Sequence, residues 1–229
     1  ASGLELRALG HWLAYYDGGE YAELVSDPDR DIHFHNACLF GIHERGKEIP
    51  KLTRDLSKRL IYCVLYGGGA KKTGSIIAPK ESEHKQYEKG KQTIDTFYQN
   101  LPAIKKLKDQ VESTLSKRDY LVGIDGRHLQ IRSKHSALNQ LLQSTGAITV
   151  KKATTILYDD MTDKGLKFFK DWGFVAHVHD EYQCLLRPEY TDLFQELAID
   201  SFRKSGEYFN LKCPLTGEAK IGKNWCETH

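Results

Sequence analysis

The sequence predicts an α+β fold in which a long helical insertion separates two parts of a small-sheet unit. Residues 119–132 alternate apolar and polar residues around an Asp-Gly turn, which is typical of a β-hairpin. Residues 174–186 contain two apolar runs that meet at the adjacent acids Asp180 and Glu181. Most of the chain before residue 119 has helical patterns, and its 40% hydrophobic residues suffice for a globular core.

The first third of the chain is mainly helical in this prediction. Apolar residues spaced along 4–16 predict a short strand that continues into a helix ending at Gly18 and Gly19. A second helix is expected over Phe34–Ile42. Thr53 then has the character of an N-cap for a helix over Arg54–Tyr66, which ends at the glycine run 67–69.

Helix-breaking residues and the periodicity of apolar residues predict the remaining elements. Residues 80–117 are polar and helical and are interrupted by Pro102. After the hairpin, a long helix is predicted over Ser136–Leu157. Two strands, Phe174–His179 and Tyr182–Leu186, precede a covering helix over Glu189–Ser205.

Composition restricts the class of protein. No apolar run approaches the roughly 20 residues of a membrane helix, and the N-terminus lacks a secretory signal, so we expect a cytoplasmic protein with no membrane partner. The five cysteines are far apart, which predicts neither a zinc site nor a disulfide framework. The net charge is only +2, but Lys and Arg concentrate within residues 47–134. Either solvated helix faces or a surface that binds a polyanion would explain this distribution.

The predicted helix 54–66 carries an ordered stripe of polar residues. Arg54, Lys58, Tyr62 and Tyr66 recur at every fourth position and therefore share one helix face. Cations suit phosphate oxygens and a phenol ring suits stacking on a base or sugar, so the stripe could bind a nucleotide end to end. An amphipathic helix with basic ends and core aromatics would explain the same spacing.

Several motifs, taken together, resemble family A DNA polymerases. The pattern R-x-x-x-K-x-x-x-Y-x-x-x-Y-G resembles the nucleotide-binding helix of that family, and VHDE at 178–181 resembles its palm carboxylate motif. ASGLELR at 1–7 is similar to the end of the first palm motif, D-x-S-x-x-E-x-R. GRHLQIRSKHSALNQLLQSTGA at 126–147 and the final NWCETH are similar to the phage replicative members. The motifs occur in family order along the whole chain.

The resemblance implies a polymerase palm sheet with a helical fingers insertion. Residues 1–10 would be the first part of the palm, 11–117 the fingers and 118–229 the rest of the palm. The thumb and exonuclease domains would not be in this chain. The implied activity is addition of deoxynucleoside triphosphates to a primer on template DNA, with two Mg²⁺ ions, which Mn²⁺ could replace. By its match to the family motif, Asp180 would be a metal ligand. Glu181 would occupy the second acidic position, which contributes more weakly to metal binding.

The resemblance also assigns substrate contacts. Arg54 and Lys58 would bind the triphosphate, and Lys58 would act during catalysis. Tyr62 would lie near the sugar and base, with a hydroxyl that can replace a missing 3′-hydroxyl. The remaining implied contacts are Tyr66 near the template, Glu5 as the acid that blocks a ribose 2′-hydroxyl, His33 near the phosphates, His179 beside the primer terminus, and Asn139, Gln143 and Arg127 on the DNA.

One part of the family pattern lies outside the chain. The first palm motif begins with an aspartate that holds both metals, and its position immediately precedes Ala1. We therefore expect an N-terminal polymerase fragment that carries the exonuclease, the thumb and this aspartate, as a product of a split gene or as the other piece of a cleaved enzyme. The alternative is a nucleic-acid-binding fragment without catalysis of its own.

Overall fold

Ten α-helices and two antiparallel hairpins make up the part of the chain that the computed structural model describes, residues 1–228. The helices are α1 (Leu4–Asp17), α2 (Glu20–Ser26), α3 (Ile32–Leu39), α4 (Lys51–Leu65), α5 (Ala70–Ile77), α6 (Glu83–Asn100), α7 (Pro102–Leu115), α8 (Ala137–Asp163), α9 (Thr191–Tyr208) and α10 (Trp225–Thr228). The strands are β1 (Tyr120–Val122), β2 (His128–Gln130), β3 (Trp172–Val178) and β4 (Glu181–Leu186). The α+β prediction is confirmed, with helices dominating.

The N-terminal region is helical from its fourth residue, so the predicted short strand is wrong. Leu6, Leu9 and Leu13 are all buried, and their spacing of three and four residues is helical. The predicted end of this helix is correct, because Gly18 adopts a left-handed conformation with φ 70°. The following helix α2 has only 7 residues, too few for a periodic apolar pattern, and was not predicted.

Helices α3 and α4 both begin earlier than predicted. The side chain of Asp31 accepts a hydrogen bond from the backbone N–H of His33 and so caps α3, which begins at Ile32, two residues before the predicted start. Helix α4 begins at Lys51, and Pro50 occupies the N-cap position that we predicted for Thr53. Proline near a helix start costs no hydrogen bond, because the first amides of a helix have no acceptor within it.

Helices α5 and α6 pack against each other at two glycines. A Cβ atom at Gly74 would lie 1.6 Å from the carbonyl oxygen of Gln86, and one at Gly90 would lie 1.9 Å from that of Ala70. This contact defines α5, which the sequence did not predict because its 8 residues are interrupted by Gly74. Pro102, the predicted interruption, is the first residue of α7.

Both predicted hairpins are present. β1 pairs with β2 around the Asp125-Gly126 turn, and β3 pairs with β4 in a register that places Val178 opposite Glu181. Helix α8 continues to Asp163, beyond the predicted end, because Leu157 and Met161 are fully buried under the second hairpin. Helix α8 therefore connects a large helical core with a smaller core beneath β3 and β4.

Candidate functional site

The polar stripe predicted on α4 runs beside the buried face of this helix, which consists of Leu60, Ile61, Val64 and Leu65. Tyr62 packs against the helical core from the stripe. Arg54, Lys58 and Tyr62 are half-buried, and the Tyr66 side chain is 47% exposed. The rings of Tyr62 and Tyr66 follow one another at a centroid distance of 6.0 Å. Cations and phenols thus line one accessible face in the predicted order.

Three groups from α3 and α4 converge at the start of this stripe. Oδ2 of Asp31 accepts a 2.5 Å hydrogen bond from Nε of Arg54, and Oδ1 accepts one of 2.9 Å from the His33 amide. The hydroxyl of the buried Ser57 donates to the His33 carbonyl oxygen at 2.8 Å. His33 and Arg54 are therefore fixed to one another through the backbone and Asp31.

The electrostatics of this cluster favour a neutral histidine. Burial, followed by the charges of Arg54 and Lys58, lowers the pKa of His33 to about 4. Its Nδ1 atom is buried and has no hydrogen-bond partner within the described part of the chain. Burial acts to raise the pKa of Asp31, but hydrogen bonds from Arg54 and His33 outweigh it and hold that pKa below its ordinary value. A cation-rich pocket with an unsatisfied imidazole nitrogen suits an anionic, hydrogen-bonding ligand.

The far end of the stripe is connected to α1 and α8 through one carboxylate. Oε1 of Glu5 accepts a 2.5 Å hydrogen bond from the Tyr66 hydroxyl and a second bond from the Gln143 amide. Burial and the neighbouring carboxylate both raise the pKa of Tyr66, so this phenol remains protonated and donates. Glu5, Tyr66 and Gln143, which the family resemblance named for different roles, are thus in direct contact.

The two acids that joined the predicted strands lie at the tip of the second hairpin. His179 and Asp180 form the connection between β3 and β4, and Glu181 is the first residue of β4. His179 is exposed and has a left-handed backbone with φ 53°, which is uncommon outside glycine. Glu181 accepts a 3.3 Å hydrogen bond from the Gln183 amide. The carbonyl oxygen of Asp180 accepts a 2.5 Å bond from the amino group of Ala1.

Tyr62 connects helix α4 electrostatically with the carboxylate hairpin. Burial raises the pKa of the Tyr62 phenol, and the negative charges of Glu5 and Asp180 raise it further. Since charge interactions fall off with distance, both carboxylates lie in the neighbourhood of this phenol. The phenol stripe of α4 is therefore near the acid at the hairpin tip.

These residues fit a divalent metal only in part. Asp180 and Glu181 offer carboxylate oxygens, which Mg²⁺ prefers. Within residues 1–228, however, no group of three or more His, Cys, Asp or Glu side chains is placed to hold an ion. The present side chains thus supply part of a two-metal ligand set rather than all of it.

The three predicted DNA contacts lie on or beside α8. Asn139 and Gln143 share a helix face, and Oδ1 of Asn139 is buried without a hydrogen-bond partner in the described residues. Arg127 directly precedes β2. Its guanidinium donates a 2.8 Å hydrogen bond to the Ser144 hydroxyl, and its Nε lies 3.6 Å from Oδ2 of Asp125. Asn139 therefore shares the helix face of Gln143, whereas Arg127 is bonded to Ser144 and has no contact with Glu5 in the described residues.

Asp31 is the site residue that the sequence reasoning missed. It precedes a helix in the run DIH, so an N-cap assignment was available from the sequence. Its contact with Arg54 joins positions 23 residues apart and could not be read from local spacing.

Most of the chain has the fold of part of a known polymerase domain. It is similar to the POL domain of Pol1 from M. smegmatis, solved in complex with DNA primer-template and dNTP, with a TM-score of 0.74, 19% identity, and coverage of 93% of this chain and 37% of that one. Because the two sequences are only 19% identical, this structural similarity establishes the fold alone.

Sequence comparisons establish the family. The model of DNA polymerase family A matches residues 2–227. The DNA-directed DNA polymerases of Enterobacteria phage T3 and Escherichia phage T7 are each 37% identical over 246 aligned positions, which cover 100% of this chain and 32% of either relative. The chain therefore belongs to DNA polymerase family A and spans about a third of the length of these relatives. No helix within residues 1–228 is long and apolar enough to cross a membrane.

Proposed function

We propose that this chain is the catalytic fingers and palm portion of a template-directed DNA polymerase. Residues 11–117 would be the fingers, and residues 1–10 and 118–229 would be the palm. The observation that carries the proposal is the ordered row of cations and phenols on α4, in which the Tyr62 phenol is close enough to Asp180 for that charge to raise its pKa. This arrangement can bind a triphosphate at one end and present its sugar and base toward carboxylates at the other.

The chain's own residues would orient the incoming deoxynucleoside triphosphate. Arg54 can bind phosphate oxygens through its terminal Nη groups, because only its Nε is hydrogen-bonded within the described residues. Lys58 forms no ion pair with the described part of the chain and is available as a second cation. Neutral His33 adds a hydrogen-bonding nitrogen. Tyr62 would contact the sugar, and Tyr66, held by Glu5, would stand at the template side.

A bound pair of Mg²⁺ ions would lower the pKa of the primer hydroxyl and neutralise the leaving pyrophosphate. Asp180 and Glu181 are the residues of this chain that would contribute ligands. Because no third candidate ligand lies beside them in residues 1–228, the proposal requires a further carboxylate.

The second hairpin has room for the segment that would supply this carboxylate. Among the described residues β4 pairs only with β3, so its other edge lacks a strand partner. A cavity of about 490 Å³ lies along this edge, lined by Ala1 to Gly3, by β4 and by residues 218–222. Ala1 is hydrogen-bonded to Asp180, so a residue joined to Ala1 would lie beside that acid. We propose that the N-terminal fragment, which would also carry the thumb and the exonuclease, brings the first palm aspartate to this edge.

Primer-template DNA is the proposed second substrate. Asn139 and Gln143 on α8 and His179 on the hairpin would contact it, and the solved domain with the same fold was captured with primer-template and dNTP. The alternative is a nucleic-acid-binding fragment without catalysis, which the incomplete ligand set favours.

Primer extension distinguishes the two functions. The chain is assayed with a primer-template, Mg²⁺ and deoxynucleotides, alone and after co-expression with an upstream fragment that ends in the aspartate. We expect extension only in the mixture, and none when that aspartate is replaced by Ala. DNA binding without extension in any mixture would support the non-catalytic alternative, and strong extension by the isolated chain would contradict the need for completion.

A further inference from the structure

We propose that Asp31 is a positioning residue for nucleotide binding, which orients Arg54 and His33 as a unit toward the triphosphate. This inference rests on the proposed function, because it assumes that the cationic cluster binds a nucleotide. It assigns a role to a residue that would not itself contact the substrate.

Asp31 uses both of its carboxylate oxygens as acceptors. Oδ2 accepts a 2.5 Å hydrogen bond from Nε of Arg54, and Oδ1 accepts one of 2.9 Å from the backbone N–H of His33. One carboxylate thus connects the backbone at the start of α3, which carries His33, with the Arg54 side chain in the first turn of α4. A long side chain that is already oriented, such as that of Arg54, loses less entropy when a ligand binds.

Asp31 occupies only one of the three guanidinium nitrogens of Arg54. The bond to Asp31 uses Nε and leaves the terminal Nη groups without a hydrogen-bond partner in the described residues. A guanidinium held at Nε can still bind phosphate oxygens in a forked geometry. Asp31 therefore orients Arg54 without consuming the groups that would meet the phosphates.

A plain capping role does not account for the contact between Asp31 and Arg54. Capping α3 needs only one acceptor, which Asn would also provide. In the pair with Arg54 the two side chains are 34% and 37% exposed, so water screens this pair less than it screens the Asp27–Arg30 pair, in which Arg30 is 64% exposed. The substitution Asp31→Asn keeps the cap and removes the charge, and so separates the two roles.

The test measures binding rather than activity, without added divalent metal. Equilibrium dialysis of the full 229-residue chain with dGTP, and separately with inorganic tripolyphosphate, gives Kd for each variant. We expect Asp31→Asn to raise the Kd of both ligands about fivefold, which corresponds to the loss of one partly exposed ion pair. The matched control is Asp27→Asn, which removes the ion pair with Arg30 on the nearby surface and should leave both Kd values unchanged.

A double-mutant cycle tests whether Asp31 acts through Arg54. In the Arg54→Ala background, Asp31→Asn should change Kd by less than about twofold, because its target is gone. Equal effects of Asp31→Asn in both backgrounds would overturn the inference and indicate a general structural role. Tighter binding by Asp31→Asn would also overturn it, since Asp31 would then compete with phosphate. Thermal unfolding of each variant confirms that the fold is retained.

The Arg54→Ala and Lys58→Ala variants distinguish a failure of this inference from a failure of the proposed function. If Arg54→Ala and Lys58→Ala weaken dGTP binding but Asp31→Asn does not, the nucleotide site stands and the role of Asp31 is wrong. If the chain binds neither ligand, or if no variant of the cluster changes binding, both proposals fail.

Discussion

The hydroxyl of Tyr66 donates a 2.5 Å hydrogen bond to Oε1 of Glu5, and the same oxygen accepts a bond from Gln143. One carboxylate therefore holds the end of α4, the start of α1 and the second turn of α8 together. In the proposed function this contact fixes the position of the Glu5 side chain where the sugar of the incoming nucleotide would lie.

Shortening Glu5 should weaken discrimination against ribonucleotides. In the completed polymerase, Glu5→Ala removes the bulk that would meet a 2′-hydroxyl, and the ribo/deoxy incorporation ratio should rise roughly tenfold or more. Glu5→Gln is the matched control, since it keeps the size and one acceptor oxygen and should retain most of the discrimination. Single-nucleotide incorporation kinetics provide the ratio. An unchanged ratio in Glu5→Ala would show that Glu5 does not exclude the 2′-hydroxyl.

Removing the Tyr62 hydroxyl should make the enzyme discriminate against dideoxynucleotides. The phenol can replace the missing 3′-hydroxyl near the phosphates, and a hydrogen bond to a charged group corresponds to roughly a 10- to 150-fold change. Tyr62→Phe should lower the dideoxy/deoxy incorporation ratio by this factor. The exposed Tyr87→Phe serves as a control. An active Tyr62→Phe enzyme with the same ratio as the unmodified one would contradict this role.

Filling the glycine contact between α5 and α6 should destabilise the helical region. Gly74→Ala and Gly90→Ala would each place a methyl group within 2 Å of a backbone carbonyl oxygen, so the helices must separate. We expect each change to lower the free energy of unfolding by about 1–3 kcal/mol or more. Gly69→Ala, which has open space and a negative φ, should change it by about 0.5 kcal/mol or less. Urea unfolding followed by circular dichroism measures the three values.

The buried His11 should make the fold less stable at acidic pH. Burial, aided by the charge of Lys212, lowers the pKa of His11 to about 4, and Nδ1 accepts a bond from the Lys212 amide. Because this pKa is lower in the folded than in the unfolded chain, stability is complete above about pH 6.5 and is lost as the pH falls toward 4.

His11→Asn should reduce this acid-induced loss of stability by on the order of 2–3 kcal/mol, even if it lowers stability at pH 7. Unfolding free energies measured between pH 4 and 7 provide the comparison. The exposed His84→Asn should leave the slope unchanged. Parallel pH profiles for His11→Asn and the unmodified chain would show that His11 is not the titrating group.

The sequence predicted the elements that depend on local residue patterns. The α4 stripe and both hairpins follow from spacing and turn residues, and they lie where expected. Short elements were missed, because α2 and α5 are stabilised by contacts such as Gly74 against Gln86 that join distant positions. The same limit applies to the site: Asp31 is recognisable as a cap, but its pairing with Arg54 depends on how α3 packs on α4.

The proposal that this chain is the catalytic portion of a polymerase is tested most directly at Asp180. In the completed assembly, single-turnover incorporation is measured for Asp180→Asn and for the control Asp192→Asn, which alters an exposed acid in the first turn of α9. Loss of a metal ligand should slow incorporation by roughly 10³-fold or more in Asp180→Asn, with DNA binding retained and no change in the control. An Asp180→Asn enzyme that incorporates nucleotides within about threefold of the unmodified rate would contradict the proposal.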